Sequence, residues 1–169
     1  MYFGGIVFTI TLGCFQVLDA SSNTATWAAL EVAAGLGAGS AFQFAFIASQ
    51  TVLTGSDTET AGSIVLVAQL FGGVLIVGVS QAIYQNYLVT NLVSIPALAS
   101  SAVTIASAGE TGFRDAVPAQ YLDVAVDAAI DAIRKAFIPG TVTMGIALLA
   151  VPFVEYNSIA NMGTTAGGA

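Results

Sequence analysis

Trp27–Leu53 reads WAALEVAAGLGAGSAFQFAFIASQTVL, and the fold class turns on it. The stretch is long, carries one charge, and is dense in small residues. At about 1.5 Å of rise per residue, a helix of this length crosses a bilayer with tilt to spare. Wound at about 100° per residue, Glu31, Gly35, Gly39, Gln43, Phe46 and Gln50 fall on one third of the circumference. One face thus carries a carboxylate, a small-residue groove and two amides. Gly35 and Gly39 form a GxxxG pair, which lets a second helix backbone approach closely. Gln43 and Gln50 are costly in lipid unless they meet protein or water. This face is therefore expected to look inward, toward other helices or a cavity.

The rest of the sequence has the same character. Of 169 residues, 56% are hydrophobic and 8% charged, with a mean hydropathy of +0.87. Soluble domains carry about 25% charged residues, so the expected class is all-α and polytopic transmembrane. The charges gather between the apolar runs instead of spreading over helix surfaces. Ten acids against three bases give a net charge of −7, which leaves little to neutralise phosphates and argues against nucleic-acid binding. The single Cys14 excludes an internal disulfide, and the lack of histidine argues against a zinc site. Met1 abuts an apolar run without a basic leader, so the sequence is expected to be an excerpt of a longer one.

Outward from Trp27, the chain divides into runs. Residues 1–18 form a first span, and 19–26 (DASSNTAT) a tight polar turn with Thr26 as a cap for the helix that follows. The second span is 27–53. Gly55 stops it, and Ser56 or Asp57 starts the next. On that third run, 61–88, the residues Gly62, Gln69, Gly73, Ile76, Ser80 and Tyr84 form one narrow stripe, and Tyr84 and Tyr87 suit a membrane boundary. Residues 89–135 hold Glu110, Asp115, Asp123, Asp127, Asp131 and all three bases. They are expected to be a long polar loop whose second half is an amphipathic helix outside the hydrocarbon. Pro118 would lie in its first turn, and Leu122, Val126, Ala129, Ile130, Ile133 and Phe137 on its apolar face. The evenly spaced aspartates suit a solvated face better than a metal site, since that spacing spreads them along the helix. A fourth span, 136–154, carries Pro139 and Pro152. The glycine-rich tail, 155–169, is expected to be flexible.

No catalytic machinery can be assembled. Cys14 has no histidine partner, Lys135 sits at a boundary, and Gly35–Gly39 lies inside an apolar helix and not in a strand-to-helix loop. The sequence is therefore read as a non-enzyme without cofactor or metal. The candidates for a substrate cavity are Glu31, Gln43, Gln50, Gln69 and Tyr84; those for helix packing are Gly35, Gly39, Gly72 and Gly73. Each glutamine could equally bond a neighbouring helix. Glu31 lies one turn inside its run and could simply reach the headgroups.

At this point the residues resemble a family. LEVAAGLGAGSAFQFAFIASQTVL (30–53) is similar to a late span of fungal multidrug and toxin efflux pumps of the major facilitator superfamily, in the fourteen-span drug:proton antiporter branch. Gly62–Gln85 (GSIVLVAQLFGGVLIVGVSQAIYQ) resembles the next span, and Asn86-Tyr87-Leu88 follows it. Gly112-Phe113-Arg114-Asp115 with Val117-Pro118 resembles a stretch of the following loop, before a final span. The resemblance implies the last four of fourteen spans of an exporter of amphipathic small molecules, driven by proton antiport. It implies an integral protein of the plasma membrane, or else of the vacuolar membrane, with the long loop outside. The partners implied are the lipid bilayer, the missing amino-terminal half and the small-molecule substrate.

Two departures stand against that resemblance. The amino-terminal half is absent, and four spans cannot alternate access without it. The tail also lacks the lysines common after the last span. Arg114, Arg134 and Lys135 all lie in the loop, so charge counting alone would place that loop in the cytosol. Two other readings stay open: a small four-span membrane protein that self-associates or serves as a subunit, and a soluble apolar bundle.

Overall fold

The computed structural model describes the backbone of residues 2–19, 22–52 and 56–153, without the side chains at 2, 44–46, 48–52, 56, 110 and 153. Glu155 and the tail, the stop at Gly55 and the side chain of Gln50 lie outside the described residues. The described residues are helical throughout, with no strand. Helix α1 is Tyr2–Phe15, α2 Thr24–Val52 and α3 Ser56–Val93. Two short helices follow, α4 (Ala102–Ser107) and α5 (Gly109–Ala116). A 3-10 turn, Ala119–Tyr121, leads into α6 (Leu122–Ala136) and α7 (Ile138–Ala150), and Val151–Phe153 ends the described chain as a last 3-10 turn around Pro152.

Helices α1 and α2 form an antiparallel hairpin. Their crossing is set by Gly4, Gly37 and Ser40: a Cβ added at Gly37 would lie 2.8 Å from the Phe8 backbone nitrogen and 3.0 Å from the Gly4 carbonyl oxygen. A Cβ at Gly35 or Gly39 meets nothing within 4 Å. Within this chain the close approach therefore belongs to Gly37, two residues from each member of the expected pair. The turn also differs in detail from the sequence expectation. Helix α2 starts at Thr24, and its cap is Asn23: the side-chain Oδ1 accepts from the Ala25 N–H at 3.1 Å and the carbonyl from the Thr26 N–H at 2.8 Å. Ser22 Oγ accepts from the Asp19 N–H at 2.9 Å and tightens the turn. Several hydroxyls on the apolar helices satisfy themselves internally, as Thr9, Thr11, Ser40 and Thr141 each donate to a carbonyl one turn back.

Helix α3 continues five residues past the expected boundary at Leu88, because Leu88 and Leu92 find a core there. Both are fully buried, together with Leu98, Ala102 and Ile105. The segment 89–135 is thus not an open connection: α4, α5 and α6 fold back on the end of α3. Helix α6 packs along α3 through Ala125 and Ala132, both with zero exposure. Asn91 locks the pair, donating through Nδ2 to the Ala128 carbonyl at 3.1 Å and to Asp131 Oδ2 at 3.2 Å. Pro118 precedes the 3-10 turn and accepts the Tyr121 N–H at 2.8 Å, so α6 begins four residues later than Pro118. Helix α7 continues α6 past Phe137, carries Pro139 in its first turn where no N–H is needed, and runs antiparallel beside α1.

Two stretches are long and apolar enough to cross a membrane: Asp57–Val93 and Ala119–Ala150. The most apolar 18-residue window of each is only 6% buried, so the apolar surface faces outward, as in a bilayer-facing helix. Phe3–Phe15 is apolar but short, and α2 has 29 residues.

Candidate functional site

Helix α1 packs on α2 and α7, and α3 packs on α6; no extensive contact joins α1 to α3. A cavity of about 650 Å³ occupies that gap. Its α3 wall is built from Gly72, Gly73, Ile76, Ser80, Gln81, Tyr84 and Gln85. Across from it stand Phe8 and Leu12 of α1 and Phe137, Gly140, Thr143 and Met144 around α7. The far end is closed by Ala106, Gly109 and Phe113 of α4 and α5. Gly72 and Gly73 border open space: a Cβ at either would meet no atom within 4 Å. Gly109 has φ +71°, a left-handed conformation that lets α5 turn away from α4 and bring Phe113 over the cavity end.

The walls differ in chemistry. Ser80, Gln81, Tyr84 and Gln85 put hydroxyls and amides on one side, while Phe8, Leu12, Phe137 and Met144 make the other apolar and aromatic. No lining residue among those described is charged. The arrangement can hold an amphiphile of drug size, polar toward α3 and apolar toward α1 and α7. Its hydroxyls stand beside no histidine, acid or lysine among the described lining residues, and no cluster of potential metal ligands occurs among the described residues.

The sequence candidates separate in the structure. Tyr84, Gly72 and Gly73 stand on the cavity wall. Gln69 lies elsewhere: its Nε2 donates to the Phe42 carbonyl at 3.3 Å, joining α3 to α2, and its Oε1 is buried without a hydrogen-bond partner. Glu31 and Gln43 are exposed on α2, away from the cavity. Gln81, Gln85, Phe113 and Phe137 were not among the cavity candidates read from the sequence. Gln81 and Gln85 flank the stripe of Ser80 and Tyr84, and counting polar residues over a wider arc of α3 would have found them.

Beside the cavity a second cluster ties the hairpin to α6. Arg134 donates through Nε to the Gln16 carbonyl at 2.9 Å and through a terminal nitrogen to the Val17 carbonyl at 3.2 Å, and it pairs with Asp19 at 3.0 Å. Those carbonyls belong to the frayed end of α1, where a cation is favoured. Gln16 Nε2 donates to Thr141 Oγ1 at 2.7 Å, and Phe15 stacks on Phe137 with ring centres 5.0 Å apart.

Comparison with known proteins gives relatives along nearly the whole chain. It is 28% identical over 159 residues to the MFS-type transporter ltbE of Aspergillus luteorubrus, covering 94% of this chain and 29% of that protein. It is 31% identical over 160 residues to the Aspyridones efflux protein of Neocamarosporium betae, covering 94% and 28%. It is 25% identical over 154 residues to the efflux pump aflT of Aspergillus parasiticus, covering 91% and 30%. The chain therefore spans less than a third of the length of these relatives. No family model and no solved structure matches it.

Proposed function

We propose that the chain forms the carboxy-terminal four spans of a membrane efflux transporter of the major facilitator type, like the fungal pumps to which it is similar, which are transporters and not enzymes. The whole protein would export amphipathic small molecules across the plasma membrane by proton antiport. The observation that carries this reading is the match to transporters over 94% of the chain. The cavity supports it, since a space of about 650 Å³ with one polar and one apolar wall suits an amphiphile. In this reading α1, α2, α3 and α7 cross the bilayer, and the open faces at Gly35 and Gly39 receive helices from the other half of the transporter.

The experiment is to express the whole gene product in a yeast strain lacking its own drug pumps and to follow loss of a fluorescent amphiphile from loaded cells. Export that stops when a protonophore collapses the gradient supports an antiporter. Export that continues unchanged removes proton coupling, and no export at verified surface abundance removes the transporter reading. Gln43→Ala tests a second part of the proposal. Altered resistance at equal abundance would place Gln43 on the substrate path through the complete protein, and unchanged resistance would return it to helix packing. A second reading, a small self-associating membrane protein, draws on the same open glycine face. Finding the transcript to end in frame just upstream of Met1 would favour it.

A further inference from the structure

We infer that the cavity between α1, α3 and α7 selects uncharged amphiphiles carrying two hydrogen-bonding groups about one helical turn apart, and excludes organic cations. The inference rests on the proposed transport function and specifies the substrate class of that same site. Three observations carry it. The first is the lining, which carries no charged side chain among its described residues. A cation brought in from water would lose its hydration without meeting a carboxylate. The ring faces of Tyr84 and Phe113 return less than that loss. The second is spacing. Gln81 and Gln85 are one turn apart, so amide groups recur along the wall at about 6 Å. A ligand with carbonyl, hydroxyl or amide groups at that separation satisfies two of them at once. The third is the opposite wall, where Phe8, Leu12 and Met144 offer apolar contact and nothing to hydrogen-bond.

The test compares two probes of similar size in cells expressing the whole gene product: Nile red, which is neutral, and rhodamine 6G, a permanent cation. Nile red should be exported and rhodamine 6G retained as in vector controls. Gln81→Leu removes one polar group and should weaken Nile red export roughly tenfold. Gln81→Glu places a carboxylate in the cavity and should make rhodamine 6G an exported probe. Asn86→Asp, an exposed position off the cavity, controls for a general effect of added charge. Export of rhodamine 6G by the unaltered protein as fast as Nile red would overturn the charge selection and leave the transporter reading standing. Equal Nile red export by Gln81→Leu would overturn the assignment of the polar wall. Export of neither probe at normal surface abundance would count against the transporter reading itself.

Discussion

At the scale of single residues, Arg134 is the most informative side chain in the molecule. In sequence it is one of three bases in a polar stretch. In the structure it holds the last carbonyls of the α1 turn and Asp19 together, more than a hundred residues away in the chain. The two backbone contacts should matter more than the ion pair, because Asp19 is largely exposed and exposed pairs contribute about 0–1 kcal/mol. Arg134→Ala should cost on the order of 1–2 kcal/mol, from charge-assisted hydrogen bonds at a helix end. Asp19→Asn should cost clearly less. Thermal unfolding of the detergent-purified protein would rank the two, and an equal loss from both would mean that the carboxylate dominates. Gly37 makes a sharper case. Gly37→Val would push its side chain into the backbone of α1 at Phe8, whereas Gly35→Val points into open space within this chain. The first should reduce the amount of folded protein. If the second reduces it equally, Gly35 meets a helix contributed from elsewhere in the complete protein.

At the scale of elements, the strongly apolar helices were legible and the α3–α6 pairing was not. Hydropathy announces Leu66–Leu75 without any knowledge of its neighbours, since lipid asks only for an apolar surface. Residues 89–135 look like a linker because their core is made of four alanines and a few larger apolar residues, Leu98, Ile105, Phe113 and Val117 among them, spread over four short elements. The apolar register of α6 was readable from Leu122, Val126 and Ala129, which pack on the core. Its fully buried positions are Ala125 and Ala132, whose small side chains give no hydropathic signal. Nor could periodicity choose Gly37 over Gly35 or Gly39, because the choice depends on where α1 crosses. The same logic hid half of the cavity: Phe8, Phe113 and Phe137 come from three distant elements and share no local pattern. The packing at Ala132 can be tested directly. Ala132→Leu adds three carbons where there is no exposed surface to take them, and overpacking of this kind costs about 1–3 kcal/mol. Faster limited proteolysis between residues 94 and 121 would report the loosened cap; unchanged cleavage would mean that α6 shifts to accommodate leucine.

At the scale of the whole molecule, hydrophobic burial reverses along the long axis. Over residues 64–79, α3 exposes Leu66, Leu70, Phe71, Val74 and Leu75; ten residues further on, Leu88 and Leu92 are sealed in a core of ordinary soluble type. With 38 residues, α3 is about 57 Å long, well beyond the roughly 30 Å of hydrocarbon in a bilayer. Its first part thus suits lipid, and its last turns carry α4, α5 and α6 as a cap, which we propose lies in water. The Arg134–Asp19 pair sets the α1–α2 turn at the capped end, and the start of α3 lies at the other. That arrangement predicts which positions share a side. In a Cys14→Ala background, a membrane-impermeant thiol reagent should label Thr24→Cys and Ser107→Cys from one side of the membrane and Asp57→Cys from the other. Labelling of Thr24→Cys and Asp57→Cys from the same side would contradict the antiparallel path of α2. Which side carries the cap is a separate question on which two arguments disagree. Likeness to the efflux pumps puts it outside, while the bases Arg114, Arg134 and Lys135 would hold it in the cytosol. Arg134 is already engaged by Asp19 and two carbonyls, so Arg114 and Lys135 alone are a weak vote on orientation. The expected result in intact cells is therefore labelling of Ser107→Cys from outside. Labelling only after permeabilisation would show the cap in the cytosol.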